Sequence, residues 1–359
     1  MADLADRPAA QDHAPGVLPH APPYPASWLD HLFDWIRKAP APVWMTYAGL
    51  WALLFLLFSG LGWLAQADSQ GHFLLIAVDG SLFVVYYVSL MHYLDTTAGR
   101  ALQEFRPLLQ VDGNEFAHLH YQLTTLPAWP ALLAGAVGVL ITLAGLPLIP
   151  KDTVLGGILR HPITQTIYAI ANAVFCTFVY HTVRQLRFVT RLHGTLTQVN
   201  LFRRSPLYAF SRLTMRIGFG WILGLSLALG PRLAGFLRPQ DLFLLWAPFL
   251  PLAALFFVLP LTGIHRLLAR EKTRLQEDIE QRIEAVIARI HGHQDADSLG
   301  DLGGLKTLLD SLMVEREMVA KLPTWPWQPG TLAGFTSALL IPLAVWLLQQ
   351  LITNWLPGR

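Results

Sequence analysis

The residues of this sequence that could bind a ligand or carry chemistry are the polar ones inside its long apolar segments. Asp79 lies seven residues after His72, about 10 Å into the second apolar segment at 1.5 Å per residue. A charge at that depth costs about 2.5–3.5 kcal/mol on insertion scales, so it usually faces a cavity or a partner. Tyr168, Asn172 and Trp246 lie at similar depths in other segments. Together they predict a ligand pocket that opens outward; the alternative is a structural Asp79 that is hydrogen-bonded to a neighbouring helix.

The last apolar segment, 332–355, is polar at both ends. Thr336 and Ser337 lie near its start, Gln349 and Thr353 lie near its end, and the residues between them are apolar. A pore helix with polar mouths and a dewetting apolar constriction has this pattern. An ordinary membrane helix with polar ends has it too, so both interpretations stay open.

The stretch KLPTWPWQPGTLAGF, residues 321–335, leads into that last segment. Pro323 ends the preceding helix, because proline lacks an N–H and clashes with the turn before it. Trp325 and Trp327 suit the headgroup layer, where aromatic rings anchor, and Pro329 precedes the restart of the helix. We interpret the stretch as a stiff joint that couples a cytoplasmic module to one membrane helix. The alternative is an ordinary Pro/Trp entry into the bilayer.

Motifs for metal or covalent catalysis are absent from the sequence. There is no HExxH motif, Walker loop or Ser/His dyad within reach of the membrane, and the last segment lacks the lysine of a retinal Schiff base. The net charge of +2 is too balanced for a nucleic-acid partner. We therefore predict no enzyme activity, cofactor, metal or nucleic acid. Two polar clusters lack zinc-ligand spacing. They are His291, His293, Asp295 and Asp297, and Glu115, His118 and His120.

The composition is that of an integral membrane protein. Of the 359 residues 53% are apolar and 14% are charged, and the mean hydropathy is +0.42. A soluble domain carries about 25% charged residues, so the shortfall predicts a surface that lipid covers. Seven segments reach the length of about 20 residues that a bilayer-crossing helix needs. They are 43–64, 72–94, 128–149, 163–183, 213–231, 242–264 and 332–355.

The distribution of Lys and Arg predicts the orientation. If the N-terminus is cytoplasmic, 21 of the 26 basic residues lie at the cytoplasmic side, as the positive-inside rule requires. The C-terminus is then outside, and the plasma membrane is the expected location. Residues 27–38 have the one-sided apolar pattern of a helix that lies on the membrane surface.

A cytoplasmic helical hairpin is predicted between the sixth and seventh spans. Apolar residues recur at spacings of three and four from Leu268 to Ile290 and from Leu305 to Val319. Gly and Asp interrupt the pattern over 291–304. Such half-apolar helices need a partner. The predicted parts are a disordered tail at 1–26, a six-helix membrane bundle at 27–264, an assembly hairpin at 265–327 and the seventh span at 328–359.

This layout of seven spans, short outer loops and a cytoplasmic hairpin before the last span resembles the insect odorant and gustatory receptor-like ion channels. The resemblance covers the organisation of residues 28–358 and carries over no site residue. It implies a tetramer that assembles through the cytoplasmic helices. It also implies that the last helix lines a cation pore. A small-molecule ligand would then bind in the outer half of the bundle.

The sequence therefore leads to one expectation and two alternatives. The expectation is a homo-oligomeric, all-α receptor-channel with a ligand-gated cation pore. The first alternative is a non-channel membrane sensor or scaffold, whose cytoplasmic helices bind a soluble partner. The second is a secondary transporter, which would need two broken helices at the bilayer midplane; Pro248, Pro251 and Pro260 supply one such break.

Overall fold

The computed structural model consists mainly of helices over the residues that it describes. The described residues are 22–65, 73–109, 111–148, 160–194, 207–227, 258–295 and 302–325, with single positions at 251, 254, 255, 333, 334, 337 and 340. Within these ranges the β-structure is limited to one isolated bridge, between Ala26 and Pro127. The described part of the chain is therefore all-helical, as predicted.

Nine α-helices lie within the longer described ranges. They are α1 (Trp28–Lys38), α2 (Val43–Leu64), α3 (Phe73–Phe105), α4 (Gly113–Thr124), α5 (Ala128–Gly145), α6 (Pro162–Gly194), α7 (Leu207–Leu227), α8 (Thr262–Asp295) and α9 (Leu302–Ala320).

Four of these helices, α2, α3, α5 and α6, are long and apolar enough to cross a membrane, in agreement with the predicted membrane protein. Both α2 and α5 present large apolar side chains outward; Trp63 is 81% exposed and Leu133 is 64% exposed. Lipid tails accept such side chains because they are equally apolar. The predicted fifth span, 213–231, lies largely within α7, which is not among these four helices. The sixth and seventh, 242–264 and 332–355, lie mostly outside the described residues, so the count of seven and the orientation stay predictions.

The helix α3 is central to the bundle. It contacts α2, α6 and α7. Aromatic rings join three of these helices: the centroids of Tyr87 and Phe178 are 4.7 Å apart, and those of Phe178 and Trp221 are 5.2 Å apart. Both α3 and α6 have 33 residues, about 50 Å at 1.5 Å per residue. Each is therefore longer than the hydrocarbon layer of about 30 Å requires.

The helix α1 is amphipathic, as predicted, but its apolar side chains divide between two environments. Leu29, Phe33 and Ile36 are buried within the protein, whereas Trp28 and Trp35 are exposed. The sequence pattern predicted that all of them share one face at the membrane surface. The structure differs because α1 packs against the bundle, which takes up the buried half of that face.

The helices α8 and α9 pack side by side over the segment for which the apolar spacing predicted a hairpin. Val286, Leu305 and Leu312 form their shared core, and further apolar side chains of both helices surround it. Each helix is too polar for a membrane span, so burial of these stripes against each other is what holds the pair together.

Two glycines permit close helix crossings. A Cβ added at Gly138 on α5 would lie 2.2 Å from the carbonyl oxygen of Asn172 on α6. A Cβ added at Gly224 on α7 would lie 2.2 Å from the hydroxyl of Tyr87 on α3. Small residues let helix backbones approach where lipid removes most of the hydrophobic effect between helices. The α5–α6 contact therefore depends on the missing side chain at Gly138.

We expect Gly138→Ala to lower the Tm of the purified protein in detergent. Overpacking costs about 1–3 kcal/mol, and the obstructing oxygen belongs to backbone, which cannot move aside like a flexible side chain. Gly60→Ala on α2 is the matched control, since a Cβ there meets nothing within 4 Å. Thermal unfolding followed by tryptophan fluorescence measures both variants. Equal Tm values for the two would contradict the close crossing.

Candidate functional site

A groove between α2 and α7, closed on its inner side by α3, forms a cavity of about 900 Å³. Small-molecule sites typically have volumes of about 300–1,000 Å³ and largely apolar walls. The lining residues are Val43, Trp44 and Tyr47 on α2, Tyr86, Ser89, Leu90 and Tyr93 on α3, and Arg216, Phe219, Gly220, Ile222 and Leu223 on α7.

Arg216 is the charged member of this lining. Its Nη1 donates a hydrogen bond of 3.0 Å to Thr97 Oγ1, and its guanidinium lies 5.4 Å from the centre of the Tyr93 ring. A cation over an aromatic face is attracted by the ring quadrupole. These contacts hold the positive charge at one end of an otherwise apolar and aromatic groove.

A buried polar cluster joins α3 to α6. Nε2 of His181 lies 2.8 Å from Asp95 Oδ1, and Nε2 of Gln185 donates to the same oxygen at 2.8 Å. All three side chains are buried. Asp95 Oδ2, His181 Nδ1 and Gln185 Oε1 have no hydrogen-bond partner among the described residues. A buried carboxylate needs such donors, because an unpaired charge inside a protein is costly; the cluster therefore fixes α3 and α6 to each other.

An extended strap at residues 24–27 lies beside the connection between α4 and α5. Tyr24 Oη donates to the Thr125 carbonyl at 3.0 Å, and Tyr121 Oη donates to the Tyr24 carbonyl at 2.9 Å. Arg184 on α6 donates to the Tyr24 hydroxyl. Burial raises the pKa of Tyr24 to about 12, so the hydroxyl remains protonated and able to donate at neutral pH. The strap thus links α6 to the start of α5.

Asp30 fixes the first turn of α1 to the same connection. Its Oδ2 accepts hydrogen bonds from the Ser27 backbone N–H at 2.9 Å, from Ser27 Oγ at 2.6 Å and from the Leu126 N–H at 3.1 Å. Burial raises the pKa of Asp30, and the hydrogen bonds from Ser27 oppose that rise. Asp30 is also the third residue of a capping box with Ser27, so one carboxylate both begins α1 and positions it.

The predicted outer pocket is only partly assembled from described residues. Asp79 on α3 and Tyr168 on α6 are half-buried and close enough to interact electrostatically. Asn172 instead donates from Nδ2 to Thr142 Oγ1 on α5 at 2.9 Å. Trp246 lies outside the described residues. The structure therefore brings Asp79 and Tyr168 together and directs Asn172 to a different helix.

Most of the predicted pore residues lie outside the described part of the chain. Ser337 is helical and exposed. Thr336, Gln349 and Thr353 are not among the described residues. The pore interpretation of the last segment stays a prediction.

The first half of the predicted joint is described, and it lies against the start of α8. The Trp325 ring stacks on the His265 ring with centroids 4.0 Å apart and planes 10° apart. Lys272 Nζ donates to the carbonyls of Ala320 and Leu322 at 2.6 and 2.9 Å. A lysine bonded to the last carbonyls of a helix caps that helix. Pro323 follows these carbonyls, as predicted for a helix end; Trp327 and Pro329 lie outside the described residues.

Sequence reasoning missed the groove and the buried cluster. His181 and Gln185, four positions apart inside a helix, were the available signal for the cluster, because that spacing places both on one face. For Arg216 there was no local signal, since its partner Thr97 lies 119 positions away in the sequence. Only the packing of α7 on α3 creates that contact.

Comparison of the chain with protein-family models, with curated proteins and with solved structures gave no match.

We expect Asp95→Ala to lower the Tm, because it leaves the buried hydrogen-bond donors of His181 and Gln185 without their acceptor, and each unsatisfied buried group costs about 1–3 kcal/mol. Asp34→Ala is the matched control, since Asp34 pairs with Arg37 at the surface, where such pairs contribute about 0–1 kcal/mol. Thermal unfolding in detergent measures both variants. If Asp95→Ala unfolded no earlier than Asp34→Ala, the cluster would not hold α3 to α6.

Proposed function

We propose that the protein is a homo-oligomeric membrane receptor-channel, in which the α8–α9 hairpin assembles the subunits and the segment after Trp325 lines the pore. The observation that supports this most is the seating of the joint against α8. The arrangement is the one that the resemblance to insect odorant and gustatory receptor-like channels implies. A tetramer in the plasma membrane is the expected form.

The joint supports coupling because it is short and bonded along its length. Only a few residues separate the end of α9 from Trp325, and the Lys272 ammonium and the His265 ring hold that connection to α8. The next residues lead into the last apolar segment. A displacement of the hairpin would therefore displace the start of that segment.

One face of α9 is free of charge and suits packing against another helix. Its members recur at spacings of three and four and are exposed; they are Gly304, Thr307, Ser311, Val314 and Met318. The two hydroxyls donate to carbonyls of their own helix, so the face presents little unsatisfied polarity. The opposite face holds Leu305 and Leu312 against α8. A second uncharged seam with this spacing has the repeat of a helix–helix interface, and we propose that the partner is another copy of this chain.

We expect Met318→Asp to reduce the oligomer to smaller species, because it places a charge in the proposed seam. Met313→Asp is the matched control: Met313 and Met318 are 48% and 54% exposed on the same helix, but Met313 lies away from the seam. Light scattering coupled to gel filtration in detergent measures the mass. A wild-type monomer, or an oligomer that Met318→Asp leaves intact, would contradict the assembly role of α9.

Coupling through the joint is tested by ion flux in reconstituted vesicles. We expect Lys272→Met to change cation flux at least about threefold, because it releases the carbonyls at the end of α9. Lys321→Met is the control, since Lys321 pairs with Glu317 of its own helix at the surface.

The same vesicles separate the proposal from its alternatives. A bulky residue in place of Ser337 should lower the flux of a pore-lining helix. Equal flux for the Lys272 and Lys321 variants would contradict coupling. Absence of flux from wild-type protein in every condition would favour the non-channel sensor or scaffold, and flux that saturates with solute concentration would favour the transporter.

A further inference from the structure

We propose that the groove between α2 and α7 binds an anionic phospholipid of the surrounding bilayer, with the headgroup on Arg216 and an acyl chain along the apolar walls. This goes beyond the proposed function and does not depend on it, since a channel, a scaffold or a transporter could hold such a lipid. Four features of the groove lead to it: its unbalanced charge, its depth, its opening and its internally bonded hydroxyls.

The charge of Arg216 is not balanced by a carboxylate within the described residues. Its hydrogen bond goes to a neutral hydroxyl, that of Thr97, and its other contact is the Tyr93 ring. Arg212, one turn earlier on α7, forms an ion pair with Glu104. A guanidinium has five N–H donors in a planar fork that fits phosphate in a bidentate manner. Arg216 therefore has both the charge and the spare donors to hold a phosphate.

The depth of Arg216 matches the headgroup layer. Its partner Thr97 follows the first residue of α3, Phe73, by 24 positions, or about 36 Å at 1.5 Å per residue. If α3 enters the hydrocarbon layer at Phe73, that layer, about 30 Å thick, ends before Thr97, which places the guanidinium bound to Thr97 at its edge. From there the groove continues along α7 to Leu223, about 10 Å further into the apolar layer. The groove therefore has a charged group at one end and apolar walls along the rest, which fits a molecule with a charged head and an apolar tail.

The groove opens sideways toward lipid. Trp44 and Leu223 line it and are 70% and 56% exposed, on helices whose outer surfaces are apolar. An occupant therefore enters from the bilayer and not from water, which selects a membrane lipid over a free anion. Basic sites between membrane helices, at the end of the bundle that carries the positive charge, are the usual places for anionic lipid headgroups.

Three of the hydroxyls that line the groove are engaged within the protein. Tyr47 Oη lies 2.9 Å from His92 Nδ1, and Tyr86 Oη donates to the Gly220 carbonyl at 2.7 Å. Ser89 Oγ donates to the Tyr86 carbonyl at 2.9 Å. Recognition therefore depends mainly on one cation and an apolar wall, and the Tyr93 hydroxyl is the remaining hydroxyl among the described lining residues. This favours selection by headgroup charge and not by a pattern of hydroxyl contacts.

The test measures lipid bound to the full-length protein by native mass spectrometry, after exchange into detergent with equal amounts of phosphatidylglycerol and phosphatidylcholine. We expect the wild type to retain more phosphatidylglycerol than phosphatidylcholine. The amount of phosphatidylglycerol bound to Arg216→Gln should be at least about fivefold lower than that on the wild type, and the amount bound to Arg212→Gln should stay within about twofold of the wild type. Arg216→Lys should retain part of the preference, since it keeps the charge.

A second variant and a second readout keep the inference testable if Arg216→Gln folds poorly. Leu223→Trp narrows the groove from an exposed position and leaves Arg216 in place, and it should also reduce lipid retention. Phosphatidylglycerol should raise the Tm of the wild type more than that of either variant. Equal retention of the two lipids by the wild type, or unchanged phosphatidylglycerol on both Arg216→Gln and Leu223→Trp, would overturn the inference.

Discussion

The contact between α3 and α6 is the interaction on which the rest of the described structure depends. Inside the bundle it is an aromatic contact between Tyr87 and Phe178, and at the basic end it is the cluster of Asp95, His181 and Gln185. Lipid supplies little hydrophobic force between helices, so a buried carboxylate that needs both of its donors gives the pair one preferred register. The other helices then pack onto a fixed core.

Both candidate functional surfaces use this pair. One side of α3 closes the groove that holds Arg216. The far end of α6 contacts α8, whose residues His265 and Lys272 hold the joint. The strap of residues 24–27 also attaches to α6, through Arg184. The groove and the hairpin therefore both contact this one pair of helices.

Hydropathy predicted the ends of a helix well where the whole helix is apolar, and poorly where the helix continues past its apolar part. The predicted first span, 43–64, coincides with α2. The second was predicted to end at residue 94, but α3 continues to Phe105. Hydropathy falls at Asp95 because a charge is costly in lipid, whereas helical hydrogen bonds continue regardless of lipid. In the same way the predicted fourth span ends at residue 183, before Arg184, whereas α6 continues to Gly194.

The sequence by itself determined the class of this protein, a helical membrane protein. A chain with so few charged residues cannot form a surface that water covers. In lipid its backbone must satisfy its own hydrogen bonds, which favours helices. It also determined the hairpin and the helix end before Pro323, since both follow from local spacing. Only the tertiary structure decided that Asp95 meets His181, that Arg216 meets Thr97, and that Asn172 turns to Thr142. Those pairs join residues far apart in the chain, and no local pattern contains the helix packing that brings them together.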